Sequence, residues 1–265
     1  MLKKIKKTEN LKASILIANY NNDQYLKECI DSIKKQNYRN IEIIVHDDVS
    51  SDNSIKKLNE YKNIKIIKNK KRGSYGSYNQ MSAYYKAFKK SKGEILFLLD
   101  SDDFFKKDKI EKVIDFFSKN ENENIVFDYP IIKKNDKEMP QKKKINFFKT
   151  YWGYIHPTSC ISIRRKYSDK IFDKVVNNKF SDIWLDLRIL LFSKYLDKYN
   201  VINDNLTFYR QFEGNESSKF KKFSKSWWQR RNLAHEYFLN FKLMNNLKIG
   251  KNLDFYISKI INKFL

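Results

Sequence analysis

Apolar residues fall in short runs separated by stretches with helical spacing. The run 13–18 has strand length, and behind it Leu26, Ile30 and Ile33 recur at intervals of three and four, with Asn22 and Asp23 as cap candidates. The alternation then repeats. A strand at 41–45 precedes a helical set of Ile55 and Leu58, and a strand at 64–67 precedes Met81, Tyr85 and Phe88 on one helical face. Gly93-Glu94 leads into a fourth strand, 95–99, followed by Ile110, Val113, Ile114 and Phe117 at helical spacing and a short strand at 125–127. Such alternation predicts an α/β fold, a mostly parallel sheet flanked by helices and joined by right-handed crossovers.

Past residue 127 the rhythm breaks. Residues 133–144 read as a charged loop without periodicity, 156–163 as extended chain, 182–195 as a helix, and 201–202 with 206–209 as short strands. From Ser226 onward the pattern predicts a tail of two helices separated near Gly250. No internal repeat is visible. The longest apolar stretch, 95–99, is far short of the roughly 20 residues that cross a bilayer. The basic opening Met1-Leu-Lys-Lys-Ile-Lys-Lys is followed by too short an apolar segment for an export signal, so a cytoplasmic protein is expected, with the inner face of the membrane as a candidate location.

Composition narrows the class. In 265 residues, 41% hydrophobic with 20 Phe and 17 Tyr but only 6 Gly and 3 Pro, there is material for a substantial core, which excludes a disordered or collagen-like chain. Cys29 and Cys160 are far apart without metal-ligand spacing, which suits buried thiols in a reducing compartment. The net charge is +23, from 54 Lys and Arg against 31 Asp and Glu. Because the lysines are spread through every segment, a solvated basic surface accounts for them better than a specific nucleic-acid site; an anionic membrane surface remains a candidate partner.

Candidate chemistry collects at strand ends. In an open parallel sheet ligands bind beyond the carboxyl ends of the strands. The first strand ends in Asn19-Tyr20-Asn21, the second in Asp47-Asp48 and the fourth in Asp100-Ser101-Asp102-Asp103, so at least five carboxylates and an Asn/Tyr pair are expected on one rim. Three carboxylates in four positions repel one another unless a cation sits among them. Hard oxygen donors suit Mg²⁺ or Mn²⁺, completed by substrate phosphates. One Asp would suffice to cap the following helix, and for Asp47-Asp48 a turn-and-cap role stands beside ligand binding.

Three motifs then carry a resemblance: Ser14-Ile-Leu-Ile-Ala-Asn-Tyr-Asn, Ile44-Val-His-Asp-Asp-Val-Ser-Ser-Asp-Asn-Ser and Lys92-Gly-Glu-Ile-Leu-Phe-Leu-Leu-Asp-Ser-Asp-Asp. In order and spacing they resemble family 2 glycosyltransferases with the GT-A fold, over about residues 13–118. Weaker matches follow in Ser181-Asp182-Ile-Trp-Leu-Asp-Leu-Arg188 and Phe208-Tyr-Arg-Gln-Phe-Glu-Gly-Asn215. The resemblance implies an inverting, metal-dependent transferase that moves a sugar from a nucleotide-diphosphate donor, a UDP-sugar first among them, to a glycan or lipid-linked acceptor in surface polysaccharide synthesis. It implies that Asn19, Tyr20 and Asn21 line the nucleoside pocket, that Asp47 or Asp48 binds the base, and that Asn79 belongs to the donor site. It places Asp102 at the ribose and at the metal, Asp103 at the metal, Asp100 in support of their loop, Arg210 near the donor phosphates or acceptor, and Asp182 as general base. Asp186 is the less favoured alternative for the base, read rather as a helix-surface residue. The resulting division is a GT-A domain at 1–215, its donor half about 10–118 and its acceptor half 119–215, with a helical extension at 216–265.

The chain departs from the family pattern at Ala18, Val49, Tyr78 and Ser181, and Val49 is expected to keep its turn out of positive φ. Trp152 and His156 are acceptor-site candidates, each with a structural alternative in core packing or hydrogen bonding. Lys71-Arg72 before Gly73 are candidates for the diphosphate, with a solvated loop as the alternative. In the tail, Leu253, Tyr256, Ile257, Ile260, Ile261 and Phe264 at helical spacing beside Lys251, Lys259 and Lys263 suit a membrane interface, packing on the catalytic domain, or a homodimer contact. Two other classes compete: a polyanion- or membrane-binding protein with a non-catalytic GT-A-like fold, and a nucleotidyltransferase. The latter lacks a Gly-rich phosphate loop near the first strand.

Overall fold

The computed structural model describes residues 10–142, 150–176 and 179–265; the basic opening and 143–144 of the expected charged loop lie outside them. The first half follows the alternation: β1 (Ala13–Asn19), α1 (Asp23–Lys34), β2 (Ile41–Asp47), α2 (Ser54–Asn59), β3 (Ile64–Lys68), α3 (Gly76–Lys90) and β4 (Ile95–Asp100). These four strands pair in parallel in the order β3-β2-β1-β4. The central pair β1 and β4, buried on both faces, read as continuous apolar runs, whereas β3 at the edge carries exposed Lys65 and Lys68. Along each strand successive side chains alternate between two cores. Leu16, Leu96 and Leu98 meet Met81, Tyr84 and Phe88 of α3, while Ile15, Ile17 and Phe97 meet Leu26, Ile30 and Ile33 of α1. Tyr84 rather than Tyr85 points fully inward, because its hydroxyl finds the carboxylate of Asp100 at 2.8 Å.

The second half comprises β5 (Phe104–Phe105), α4 (Lys109–Lys119), β6 (Ile125–Lys134), β7 (Lys137–Pro140), β8 (Ile161–Arg164), α5 (Arg165–Val175), α6 (Leu185–Leu196), β9 (Asn200–Arg210), α7 (Lys225–Met244) and α8 (Leu253–Phe264). It continues the sheet past β4 through β8, β6 and β9 to β5, with β8 antiparallel to β4 and β6 and β9 parallel to β6. Three expectations are corrected here. The segment read as a charged loop contains the β6–β7 hairpin, pairing Ile131 with Pro140 and Lys134 with Lys137. Every β7 side chain is exposed, so no buried face imposes a two-residue period on it. The two short strands at 201–209 are one eleven-residue strand, β9. Finally, α6 starts at Leu185, because Trp184 before it is extended with ψ 153°.

Two registers build the rim. Asn19 pairs with Asp47, and Ala18 with Asp100, which brings three strand ends level. Beyond β4 the chain turns into β5, whose Phe104 pairs with Phe208, so the acidic turn is strapped to the end of β9.

Candidate functional site

A cavity of about 590 Å³ opens at this rim. At one end its wall is Asn19, Tyr20, Asp48 and Arg72; at the centre lie Asp100 and Asp102; at the far end stand Trp184, Asp186, Trp227 and Arg230. Thus α7 contributes to the same cavity as the strand ends.

Backbone turns set the first end. Asn19 Nδ2 donates to Asp47 Oδ1 at 2.7 Å, and the Ser50 amide donates to Asp47 Oδ2 at 3.0 Å. Both oxygens of Asp47 are therefore spent on the turn, and its carboxylate does not line the cavity. Asn21, at φ 49°, ties the same turns together: its amide donates to Ser50 Oγ and its Oδ1 accepts from the Ser51 amide. Asp48 faces the cavity, accepts from Asn69 Nδ2 at 2.7 Å and pairs with Arg72 at 3.1 Å. Arg72 lies over the Tyr20 ring, 3.2 Å from its centroid, so it belongs to this aromatic end. Asn79 clamps the loop that carries it, donating to the Gly73 carbonyl at 2.9 Å and accepting from the Gly73 amide at 3.2 Å. A Cβ on Gly73 would stand 2.7 Å from Asn79 Oδ1, so the clamp requires glycine.

Val49 contradicts the expectation for this turn: it adopts φ 63°. The hydrogen bonds of Asp48 and Ser50 on either side overdetermine the turn and hold a β-branched residue in the left-handed region, at a cost of about 1–2 kcal/mol. Val49→Gly is expected to stabilise the protein by about 0.5–1 kcal/mol, the relieved strain partly offset by glycine's freer unfolded chain. Urea unfolding checks it; an unchanged or lower midpoint would show that the turn carries no strain.

The acidic centre separates into two kinds of carboxylate. Asp100 accepts from Gln80 Nε2 at 2.7 Å and from the Tyr84 hydroxyl at 2.8 Å, both on Oδ1. Asp102 accepts from Asn215 Nδ2 at 3.1 Å. Both line the cavity. Asp103 turns the other way: it is buried, accepting from Ser159 Oγ at 2.5 Å and from the Arg210 amide at 2.8 Å. Beneath it Lys109, fully buried, donates to Asp128 at 2.8 Å, to the Ser159 carbonyl at 2.7 Å and to Thr207 at 2.6 Å. This network fixes Ser159, which in turn accepts from the Asp100 amide at 3.0 Å. Arg210 straps the turn from outside, donating to the Asp102 carbonyl at 2.9 Å while its guanidinium pairs with Glu28 and stacks on Tyr25.

Burial and like charge raise the proton affinity of this centre. Asp102 is pushed up to about 7, first by burial and then by Asp100 beside it, and Asp100 is raised by burial. Hard oxygen donors kept close in this way fit a divalent cation. Among the described residues no three ligating side chains stand preassembled, so water and phosphate would have to complete the coordination shell.

At the far end Asp186, in the first turn of α6, lines the cavity and is pushed up to about 7, chiefly by burial, with Arg230 opposing. It is not a helix-surface residue, because α6 starts late and directs its first turn at the rim. Arg230 lies 4.3 Å from the Trp184 ring centroid and 3.8 Å from that of Phe220. Asp182 is exposed outside the cavity wall; its backbone carbonyl accepts from Ser77 Oγ at 3.2 Å. Trp152 is buried 4.9 Å from His235, ring centre to ring centre, and does not line the cavity. His156 is buried as well, its Nδ1 2.8 Å from the Asp128 carbonyl, and burial lowers it to about 4, which keeps it neutral. Lys109 and the α7 wall were not singled out as functional from sequence; Arg72 was a candidate for the diphosphate and stands against Tyr20 and Asp48, and Asp186 was the less favoured of two candidate bases. For the buried network the one available signal was Asp128, a lone charge in the apolar stretch 125–132.

The model of Glycosyl transferase family 2 matches residues 14–176. An uncharacterized glycosyltransferase of Nostoc sp. is 30% identical over 217 residues, 76% of this chain and 65% of that protein. The Escherichia coli protein WfgD, a UDP-Glc:alpha-D-GlcNAc-diphosphoundecaprenol beta-1,3-glucosyltransferase, is 29% identical over 227 residues, 81% of this chain and 83% of that protein. Among solved structures, Staphylococcus aureus TarS 1–349 in complex with UDP-GlcNAc superposes with a TM-score of 0.64 at 17% identity, covering 87% of this chain and 67% of that chain. Mannosyltransferase PcManGT from Pyrobaculum calidifontis, in complex with GDP-Man and Mn2+, superposes with a TM-score of 0.55 at 13% identity, covering 91% and 66%. The chain spans just under two thirds of the Nostoc relative, and a Haemophilus influenzae glycosyltransferase 36% identical over 113 residues is spanned for only 33% of its length.

Proposed function

The chain belongs to glycosyl transferase family 2, and on that premise we propose that it transfers a sugar from a UDP-linked donor, with inversion, to a glycan or lipid-linked acceptor in surface-polysaccharide synthesis. The observation that carries the reading is one cavity lined by an aromatic nucleoside end, an acidic centre and a separate carboxylate at the far end. The names of WfgD and of the TarS complex supply the UDP-sugar, and that of WfgD a diphosphate-linked lipid acceptor.

In this reading Tyr20 and Arg72 hold the base and ribose, and Asp48 offers a hydrogen-bond acceptor to the base. Asn19, Asn21 and Asp47 shape the turn that presents them, and Asn79 holds the Arg72 loop. Asp102, supported by Asp100, would hold Mn²⁺ or Mg²⁺. That cation, when bound, stabilises the negative charge growing on the departing diphosphate. Asp103, Ser159, Lys109 and Arg210 keep the acidic turn in place. Asp186 accepts the proton of the attacking acceptor hydroxyl from the side opposite the diphosphate, and attack from that side inverts the anomeric carbon. Residues 10–118 supply the donor side; 119–215 together with α7 supply the acceptor side.

Calorimetric titration of UDP, with dTDP and GDP beside it, tests the reading in the presence and absence of Mn²⁺. The expected result is UDP binding that depends on Mn²⁺. Absence of binding by every diphosphate would overturn the donor site.

A further inference from the structure

Among the described residues no helix is long and apolar enough to cross a membrane, yet α7 and α8 expose a large apolar surface. The inner face of α8 is accounted for. Phe255, Asp254 and Ser258 are buried, and Asp254 accepts from Arg231 and lies 2.9 Å from His235 Nε2, both on α7. The outer face is not. Leu253 is 71% exposed, Tyr256 50%, Ile260 58% and Phe264 83%, a stripe one helix face wide, flanked by exposed Lys259 and Lys263.

That stripe runs towards the cavity. The Lys225 ammonium donates to the Leu265 carbonyl, so the end of α8 lies beside the start of α7. There Phe223, 61% exposed, packs its ring 5.4 Å from Trp227, and Trp227 lines the cavity. The exposed stripe of α8 thus ends beside the start of α7, where Phe223 is exposed and Trp227 lines the cavity.

Charge selects what covers it. Residues 219–265 hold eleven Lys and Arg against two acidic residues, Glu236 and Asp254, and Asp254 is already paired. A second copy of this chain, meeting face to face around a two-fold axis, would set these lysines against themselves. An anionic bilayer offers both requirements, headgroups for the lysines and acyl boundary for the apolar stripe.

We propose that the outer face of α7–α8 docks on an anionic lipid surface and holds the cavity mouth against it. The inference rests on the proposed transferase function for its purpose, since a lipid-linked acceptor would then enter past Phe223 and Trp227 without leaving the interface. The contact itself is independent of that function.

Flotation of the full chain with phosphatidylcholine vesicles, with and without phosphatidylglycerol, tests it. The expected result is binding to the anionic vesicles only, weakening as salt is raised and reduced about tenfold or more in Ile260→Asp/Phe264→Asp. Lys259→Glu/Lys263→Glu should act in the same direction; both pairs are exposed, and melting curves check that the fold is kept. No binding to anionic vesicles overturns the proposal, as does binding that both double variants leave unchanged. Self-association in the ultracentrifuge that Ile260→Asp/Phe264→Asp abolishes, without vesicle binding, would assign the face to a second copy instead. Mn²⁺-dependent UDP titration of the same samples separates the two readings. If it persists while flotation fails, only the docking falls.

Discussion

Asp102→Asn is expected to remove Mn²⁺-dependent UDP binding and to lower turnover by about 10²–10³, with the melting temperature held or raised. The cause is local. Asp102 is the cavity-facing member of the Asp102-Asp103 pair, pushed up to about 7 by burial and by Asp100. A neutral amide there keeps a hydrogen-bonding group for Asn215 but loses the charge that a cation needs. The matched variant Asp103→Asn should behave differently. Its carboxylate is committed to Ser159 and the Arg210 amide inside the protein, so the main loss is in stability. Calorimetry with UDP and Mn²⁺ beside thermal melting separates the two. Full metal-dependent affinity in Asp102→Asn, lost instead in Asp103→Asn, would move the cation to Asp103.

Asp186→Asn is expected to lower turnover by about 10²–10⁴ while UDP affinity is unchanged, the signature of a lost general base. The pH dependence follows from the same carboxylate. Burial raises it to about 7, it accepts a proton only when ionised, and turnover therefore climbs as pH rises through about 7 and levels off above. With Mn²⁺ and UDP-sugar saturating, so that the cation holds Asp102 ionised, that rising limb should flatten in Asp186→Asn. Asp182→Asn, altering an exposed carboxylate outside the cavity wall, should retain turnover close to that of the native chain. Initial rates of sugar transfer across pH, measured for both variants, decide between them. If Asp182→Asn carried the loss and Asp186→Asn did not, the base would be Asp182.

The two aspartates show why the acceptor side was harder to read than the donor side. Donor-side residues follow directly on apolar strands, so the strand pattern alone places Asn19, Asp48, Asp100 and Asp102 at the rim. Which of two adjacent aspartates faces the cavity is another matter. Asp47 and Asp103 turn inward because Asn19, Ser50, Ser159 and the Arg210 amide wait there, and the last two come from 56 and 107 residues away. On the acceptor side Asp182 and Asp186 are four positions apart in sequence, and the deciding fact is the late start of α6 after an extended Trp184, which leaves Asp182 outside the helix.

The sequence by itself determined the parallel half of the sheet, the helices that cover it, the family and the acidic strand ends, because burial on both faces writes continuous apolar runs and helical spacing into the chain. Tertiary structure alone decided the β6–β7 hairpin, the inward turn of Asp47 and Asp103, the strained conformation of Val49, and the meeting of Arg72 with Tyr20 and of α7 with the cavity. It also split α8 into a face buried by the Arg231–Asp254 pair and a face left bare. The physical reason is common to all of these. Local periodicity records whether a residue is buried, whereas the direction of a polar side chain is set by partners that only the fold brings within hydrogen-bonding distance.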